Sequence, residues 1–228
     1  MKYQHLYKGL LFFSLVFFAA VQAVPAEASK EDFQIARLKY GGGGDWYSNP
    51  SSLPNLMEGI KERTPIVAAS LAEVRVELLD ESLFSYPMLY MNGHGEVRLS
   101  QAEVDRLREY LERGGFLWAD DNYGMDRSFR RELAKVFPET ELVPLPFKHR
   151  LFNCYYDLPK GTPKIHEHDN KPPQSLGLYH KGRLVVVYTY EADIGDGLED
   201  TAVHKDPEAV REAAMQYAIN LVTYVMTH

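Results

Sequence analysis

The sequence has 228 residues, of which 45% are hydrophobic and 25% charged, with one cysteine and a formal net charge of −7. This composition is typical of one globular domain or a closely fused pair, and it excludes a disordered chain. A single cysteine excludes an intrachain disulfide framework. The acidic balance, without a concentrated stripe of Lys and Arg, argues against a nucleic-acid partner.

The first 28 residues have the pattern of a secretory signal peptide. Lys2 and Lys8 flank the start of an uncharged apolar run over residues 9–21, which is shorter than the roughly 20 residues of a membrane span. Small residues permit cleavage after Ala23 or Ala28. We therefore expect an exported protein, periplasmic or secreted, with no membrane span after cleavage. The alternative is that the segment is retained as a membrane anchor.

The following residues predict strands separated by a helix. Residues 33–38 alternate apolar and polar side chains and lead into four glycines, which predicts a first strand. A serine pair can cap a helix over about 51–63. Of the short stretches 66–69 and 74–78, at least one is expected to join the sheet. The almost continuously apolar stretch 86–91 predicts a strand covered on both faces, and hence a buried parallel sheet.

The clearest local signal is an S-x-x-E capping box. Ser100 and Glu103 predict the start of a helix, which ends at Gly114. A buried strand follows over residues 116–119, so that strand, helix and strand form a crossover. A second helix is predicted over about 128–137.

The C-terminal part predicts a β-hairpin and a last helix. Residues 175–179 and 183–190 read as paired strands. Asp206 is predicted as the N-cap of the last helix, with Pro207 in its first position. No linker or repeat interrupts the pattern, which predicts a single α/β domain over residues 31–228.

Several motifs together carry a resemblance to a known family. They are the stretches 40–47, 86–95, 99–100, 114–121 and 146–152. These stretches resemble class I glutamine-amidotransferase-like, flavodoxin-type folds and, more closely, the bacterial domain-of-unknown-function family 4159, over about residues 31–226. The resemblance implies a three-layer α/β sandwich with a mostly parallel sheet and a site at the carboxyl ends of its strands, but no established reaction.

The resemblance does not extend to amidotransferase chemistry. Those enzymes use a cysteine on a sharp turn after a strand, and the equivalent turn in this chain holds Gly93, His94 and Gly95. The single thiol, Cys154, lies in another segment and is predicted to be buried and structural.

The glycine-rich segment after the first strand is a candidate ligand-binding loop. Glycines let backbone N–H groups approach a ligand, and aromatic side chains can stack on a sugar or a ring. The predicted ligand-binding residues are Gly42, Gly43, Asp45, Trp46 and Tyr47, together with Asn92 and Gly93 at the end of a later strand. The alternative is a loop whose aromatic side chains pack back on the core.

Four polar side chains are candidates for acid–base chemistry. His94 follows a buried strand and can act as a general base or a metal ligand. Asp120 and Asp121 follow the next strand and can act as a paired acid, or Asp120, Asp121 or Asn122 can simply cap the following turn. His149 lies between two cationic residues and is the second candidate histidine. No metal ligand set and no cofactor are assigned, although a metal is possible, because zinc sites are recognised by short spacings absent from this chain.

Two other polar segments are interpreted as surface loops. His166 and His168 alternate, but the Asn, Lys and Pro residues that follow favour a solvated loop. The acid-rich segment 191–200 is interpreted as a rim or lid loop, because it lacks the order of an EF-hand.

Two functions remain open. The first is a non-catalytic binding or interaction domain of the cell envelope, whose partner is a small molecule, a glycan, a peptide or an envelope protein. The second is a hydrolase of unfamiliar type that uses His94, Asp120, Asp121 and His149, with or without a metal. The hydrolase requires that His94, Asp120 and His149 meet in one pocket.

Overall fold

The computed structural model describes residues 32–228, so the predicted signal peptide and both cleavage sites lie outside the described residues. The strands, in chain order, are β1 (Ile35–Leu38), β2 (Val74–Val76), β3 (Met88–Gly93), β4 (Phe116–Asp121), β5 (Val143–Pro144), β6 (Gln174–His180) and β7 (Arg183–Tyr190). The helices are α1 (Ser52–Arg63), α2 (Gln101–Glu112), α3 (Asp126–Val136), α4 (Ile194–Gly197), α5 (Thr201–His204) and α6 (Glu208–Thr227).

The strands form one seven-stranded sheet in the order β2-β1-β3-β4-β7-β6-β5. The pairs β2–β1, β1–β3, β3–β4 and β4–β7 are parallel, whereas β6 pairs antiparallel with both β7 and β5. This topology confirms the predicted α/β class with a mostly parallel sheet. The carboxyl ends of β1, β3, β4 and β7 therefore lie along one edge, where open α/β sheets bind their ligands.

Two apolar clusters cover the two faces of this sheet. Successive residues of a strand point to opposite faces, so Met88 and Tyr90 join one cluster while Leu89 and Met91 join the other. Helices α1 and α6 contribute to the first cluster, and α2 and α3 contribute to the second. The fully apolar strands predicted from the sequence are thus covered on both faces.

Local sequence signals mostly mark the observed element boundaries. The capping box of Ser100 and Glu103 is present at the start of α2. Residues 74–76 join the sheet as β2, while Ala68 makes only an isolated bridge with Phe33. One prediction is wrong: Pro207, not Asp206, is the N-cap of α6, because the Asp206 carboxylate hydrogen-bonds to a distant histidine instead.

The predicted hairpin is confirmed as β6 and β7. Its open end pairs Gln174 with Tyr190, and a register shift lies near its turn, between Leu178 and Tyr179. Within residues 32–228, no helix combines the length and the apolarity that crossing a membrane requires.

Candidate ligand site

Polar side chains meet where β3, β4 and β7 end. The strand register places Asn92 of β3 beside Asp120 of β4, and Asp120 beside Thr189 of β7. All three residues are fully buried. The polar residues that end these strands are therefore packed into the protein and form the floor of the site.

Asp120 holds the start of α4 in place. Its carboxylate accepts hydrogen bonds from the Thr189 hydroxyl and, at 2.7 Å, from the backbone N–H of Gly195. A Cβ atom at Gly195 would collide with the Tyr90 hydroxyl and with Asn49, so a larger residue would displace these two side chains. Burial raises the pKa of Asp120 from 3.8 to about 8, against the lowering effect of these hydrogen bonds.

The loop after β7 supplies two further carboxylates. Asp193 is buried and has a left-handed backbone conformation with φ of 55°. Asp196 lies one helical turn later, and its Oδ1 accepts hydrogen bonds from the side-chain amides of Asn49 (2.6 Å) and Asn122 (3.1 Å). These two amides fix the orientation of the Asp196 carboxylate and leave its Oδ2 directed at the histidines.

His166, from the segment before β6, bridges two of the acids. Its Nδ1 lies 2.9 Å from Oδ2 of Asp196, and its Nε2 lies 3.2 Å from both carboxylate oxygens of Asp206. His204, at the end of α5, places its Nε2 3.8 Å from the same Oδ2 of Asp196. One ligand atom from each of His166, Asp196 and His204 lies within 4.8 Å of the other two.

A third histidine completes the group. Nε2 of His168 contacts Oδ2 of Asp193, and its ring stacks on Tyr123 with centroids 4.6 Å apart. The Tyr123 hydroxyl in turn donates to Asp169 at 3.0 Å. We call the six residues His166, His168, His204, Asp193, Asp196 and Asp206 the histidine–aspartate cluster.

The charges of the cluster are unevenly compensated. Among residues 32–228, the ion pairs of its three aspartates are with histidines and with no lysine or arginine. Burial and the neighbouring Asp196 raise the pKa of Asp193 to about 7. Burial would lower the pKa of His166, but Asp196 and Asp206 raise it above its usual value. The carboxylates of the cluster thus stabilise a positive charge placed among them.

His94 lies outside this cluster. Its Nδ1 is 2.9 Å from Oδ2 of Asp45, and its backbone N–H also donates to the Asp45 carboxylate. The His94 side chain is 53% exposed, so this pair faces solvent. The contact joins two residues with different predicted roles, His94 in catalysis and Asp45 in ligand binding.

The glycine-rich loop packs against protein. A Cβ atom at Gly42 would collide with the backbone of residues 96–98, whereas one at Gly43 would meet nothing within 4 Å. Trp46 packs on the core beside Lys39 and Arg75. Tyr47 is 59% exposed and meets Trp46 edge to face. The interpretation of Trp46 as an aromatic side chain packed back on the core matches this arrangement.

Asn92 and Gly93 also have partners within the protein. The side chain of Asn92 accepts from Arg37 and donates to the Ser48 hydroxyl at 2.9 Å. Gly93 has φ of 139°, and a Cβ atom there would collide with the Tyr40 hydroxyl and with Asp45. Both residues thus fix the end of β3 and the loop beside it.

Asp121 and His149 are held in separate places. Asp121 accepts from the backbone N–H groups of Tyr123 and Met125, which is the turn-capping alternative that the sequence left open. His149 Nε2 lies 3.1 Å from the Tyr179 hydroxyl, near the amino-terminal end of β7. The structure therefore does not bring His149 together with Asp120 and His94, which lie at the opposite edge of the sheet.

Cys154 is partly buried and lies against α6. Its thiol donates to the backbone carbonyl of Asn220 at 3.1 Å, and burial raises the pKa of the thiol. A thiol with a raised pKa is a poor nucleophile at neutral pH, in keeping with the structural role expected for it.

The interpretation of His166 and His168 as part of a solvated loop has to be corrected, and the acid-rich segment 191–200, which was interpreted as a rim or lid loop, is mostly buried. Residues 166–169 and the acid-rich segment 191–200 together form most of the histidine–aspartate cluster. The alternating histidines and the run of acids were visible signals in the sequence. What it did not show is that the β6–β7 hairpin brings segments 30 residues apart into contact.

Comparison with known proteins identifies the family. The family described as Domain of unknown function (DUF4159) matches residues 34–226, which is most of the chain. A comparison with curated proteins finds no match.

Proposed function

Since the chain belongs to the family described as Domain of unknown function (DUF4159), a description that assigns no reaction, we propose its function from the chemistry of the site. We propose that it is an exported ligand-binding domain of the cell envelope, with no amidotransferase activity. Its ligand carries positive charge and binds at the histidine–aspartate cluster. The proposal includes the finer fold class, a three-layer sandwich of the glutamine-amidotransferase-like type.

The observation that carries this proposal is the charge of the cluster. Three carboxylates face three imidazoles, and no lysine or arginine among the described residues pairs with these acids. At a pH where the imidazoles are neutral, the six side chains carry three negative charges. A positively charged ligand would compensate these charges at a site where part of the water is already excluded.

Binding can be tested with simple probes. We expect a panel of divalent metal ions and of organic cations such as putrescine and spermidine to contain at least one that stabilises the protein in thermal unfolding. Asp196→Asn should lose that stabilisation, while His149→Ala, at the opposite edge of the sheet, should keep it. If no cation in the panel stabilises the protein, or if both variants respond like the wild type, the proposal is wrong.

A second candidate function is hydrolysis by a different set of residues from the predicted one, because His149 lies at the opposite edge of the sheet and cannot take part. His94 and Asp45 form the pair expected of a general base and the carboxylate that orients it, and Nε2 of His94 has no hydrogen-bond partner among residues 32–228. Asp120, with a pKa of about 8, is a carboxylic acid that holds its proton near neutral pH. Chromogenic esters, amides and phosphoesters test this function. Turnover that His94→Ala abolishes would support it, and no turnover of any of them would contradict it.

Export has a separate test. Expression of the full chain in a bacterial host, followed by fractionation and intact mass measurement, should yield a mature protein that begins at Val24 or Ser29. A chain that keeps Met1 and sediments with membranes would instead establish the retained anchor.

A further inference from the structure

We propose that the histidine–aspartate cluster is a binding site for a divalent transition-metal ion of the zinc class. This inference rests on the proposed function and names its ligand. The donor atoms are Nδ1 of His166, Nε2 of His204, Oδ2 of Asp196 and the carboxylate of Asp193.

The spacing of the donor atoms fits one ion. In a tetrahedral zinc site each donor lies about 2.1 Å from the metal, which places neighbouring donors about 3.4 Å apart. Nδ1 of His166 lies 2.9 Å from Oδ2 of Asp196 and 3.5 Å from Oδ2 of Asp193. Nε2 of His204 lies 3.8 Å from Oδ2 of Asp196. These distances bracket the expected value for His166, Asp196 and His204, whose ligand atoms lie within 4.8 Å of one another. Asp193 is outside that group of three, so its side chain has to rotate to become the fourth ligand.

Two of the donor residues are already oriented by side chains that would not bind the ion themselves. A metal-binding histidine commonly donates its other ring N–H to a carboxylate, which fixes the tautomer and raises the basicity of the ligating nitrogen. Asp206 takes this position on Nε2 of His166. Asp196 is held in the same way, because Asn49 and Asn122 both donate to its Oδ1 and leave Oδ2 for the metal.

A separate observation points to a missing partner. Asp193 is fully buried, and its Oδ1 has no hydrogen-bond partner among residues 32–228. A buried carboxylate oxygen without a partner costs free energy, and metal coordination is one way to satisfy it. The same carboxylate lies against His166 through its other oxygen. The unsatisfied group therefore belongs to the residue that would complete the ligand set.

The donor chemistry selects the class of metal. Imidazole nitrogens suit zinc and other late first-row ions, while Ca²⁺ and Mg²⁺ prefer sites made of oxygen ligands alone. Two imidazoles with two carboxylates therefore favour Zn²⁺ over Ca²⁺ and Mg²⁺. His204 is exposed and the side chain of His166 is 27% exposed, so the ion can enter from solvent.

Isothermal titration of the chelator-treated full protein with Zn²⁺ tests the site. We expect one ion to bind per chain, with Ca²⁺ and Mg²⁺ at least 100-fold weaker. His204→Ala and His166→Ala should each weaken Zn²⁺ binding at least 100-fold. His204 is exposed, so its replacement leaves the fold intact, as circular dichroism should verify. His149→Ala and His94→Ala, which remove histidines outside the cluster, should bind Zn²⁺ like the wild type.

Co²⁺ gives a second readout, because its visible absorption reports coordination geometry. The wild type should show intense bands of a four-coordinate site, and His204→Ala should lose them. If Zn²⁺ does not bind, or binds equally to all four variants, the metal site is wrong. If only an organic cation binds and Asp196→Asn abolishes its binding, the metal site is wrong while the proposed binding function stands.

Discussion

Two regions at the same edge of the sheet pair histidine with aspartate, and they differ in what they leave unsatisfied. We call residues 41–47 the first loop; its Asp45 binds His94, and Gly42 and Gly44 pack on protein backbone. In the histidine–aspartate cluster, three acids face three imidazoles, and a buried oxygen of Asp193 has no partner among the described residues. The sequence predicts a ligand site at the glycine-rich loop, but the carboxylate oxygen without a hydrogen-bond partner is in the cluster.

The first loop is mainly a structural element. Arg37 is fully buried and donates to the backbone carbonyl of Trp46 in this loop at 3.4 Å, and to those of Ser48 and Asn49, which follow the loop, each at 2.9 Å. The same guanidinium forms a 2.6 Å ion pair with Glu73. One buried cation thus ties the loop to β1, which contains Arg37, and to the residue that precedes β2. Variants of this region should change stability, and variants of the cluster should change binding.

The largest expected effect is on the first loop. Arg37→Met should lower the free energy of unfolding by about 3–5 kcal/mol, because it leaves buried carbonyl acceptors without their donor and leaves Glu73 with only the exposed Arg75 as a partner. Arg75→Met is the matched control, since Arg75 pairs with the same Glu73 but is 53% exposed, and it should cost less than about 1 kcal/mol. Urea unfolding measures both. Equal, small losses would show that Arg37 does not hold the loop.

The next largest effect is expected at Asp206 in the histidine–aspartate cluster. Asp206→Asn should weaken Zn²⁺ binding by about 10–100-fold, since it alters the partner that orients His166 without removing a metal ligand. Asp169→Asn is a nearby control, because Asp169 contacts Tyr123 and Lys171 but no metal donor. Titration calorimetry distinguishes the two variants. An unchanged affinity in Asp206→Asn would refute the orienting role.

Asp120 predicts a dependence of stability on pH. Its pKa is raised from 3.8 to about 8, so the folded protein holds a proton that the unfolded chain releases. The contribution of this group to stability is therefore fully present below about pH 4 and is lost as the pH rises towards 8. We expect the difference in Tm between Asp120→Asn and the wild type to shift in favour of the variant across this range, by at least about 2–4 °C.

Thermal unfolding at a series of pH values measures this shift. Some pH dependence should persist in Asp120→Asn, because the pKa of Asp193 is also raised, to about 7. Parallel curves for Asp120→Asn and the wild type would contradict the assignment of a raised pKa to Asp120.

The smallest effect is expected at His94. His94→Ala removes an exposed pair with Asp45, which should cost less than about 1 kcal/mol of stability. Zn²⁺ binding should be unchanged. Urea unfolding and calorimetry measure the two quantities, and a large loss of Zn²⁺ affinity would mean that the two regions form one site.

The sequence predicted the framework better than the site because the framework depends on local patterns. The capping box of Ser100 and the apolar run of β3 lie within single elements. The cluster depends instead on contacts between segments on either side of the hairpin, such as that of His166 with Asp196. Asp206 shows the difficulty: its position before Pro207 fits a helix cap, yet its carboxylate bonds to His166. No local pattern distinguishes these two uses.

The register shift in the β6–β7 hairpin has a consequence for tolerance to insertion. The extra residue lies near the turn, so Gln174 to Leu178 remain in unbroken register with Tyr190 to Val186 at the open end. Length changes around Lys181 can be absorbed at the bulge before they reach that end. Insertions or deletions near the turn therefore should not alter the strand register at the open end of the hairpin. The spacing between His166 and Asp193 stays constant as a result, while the length of the turn can vary.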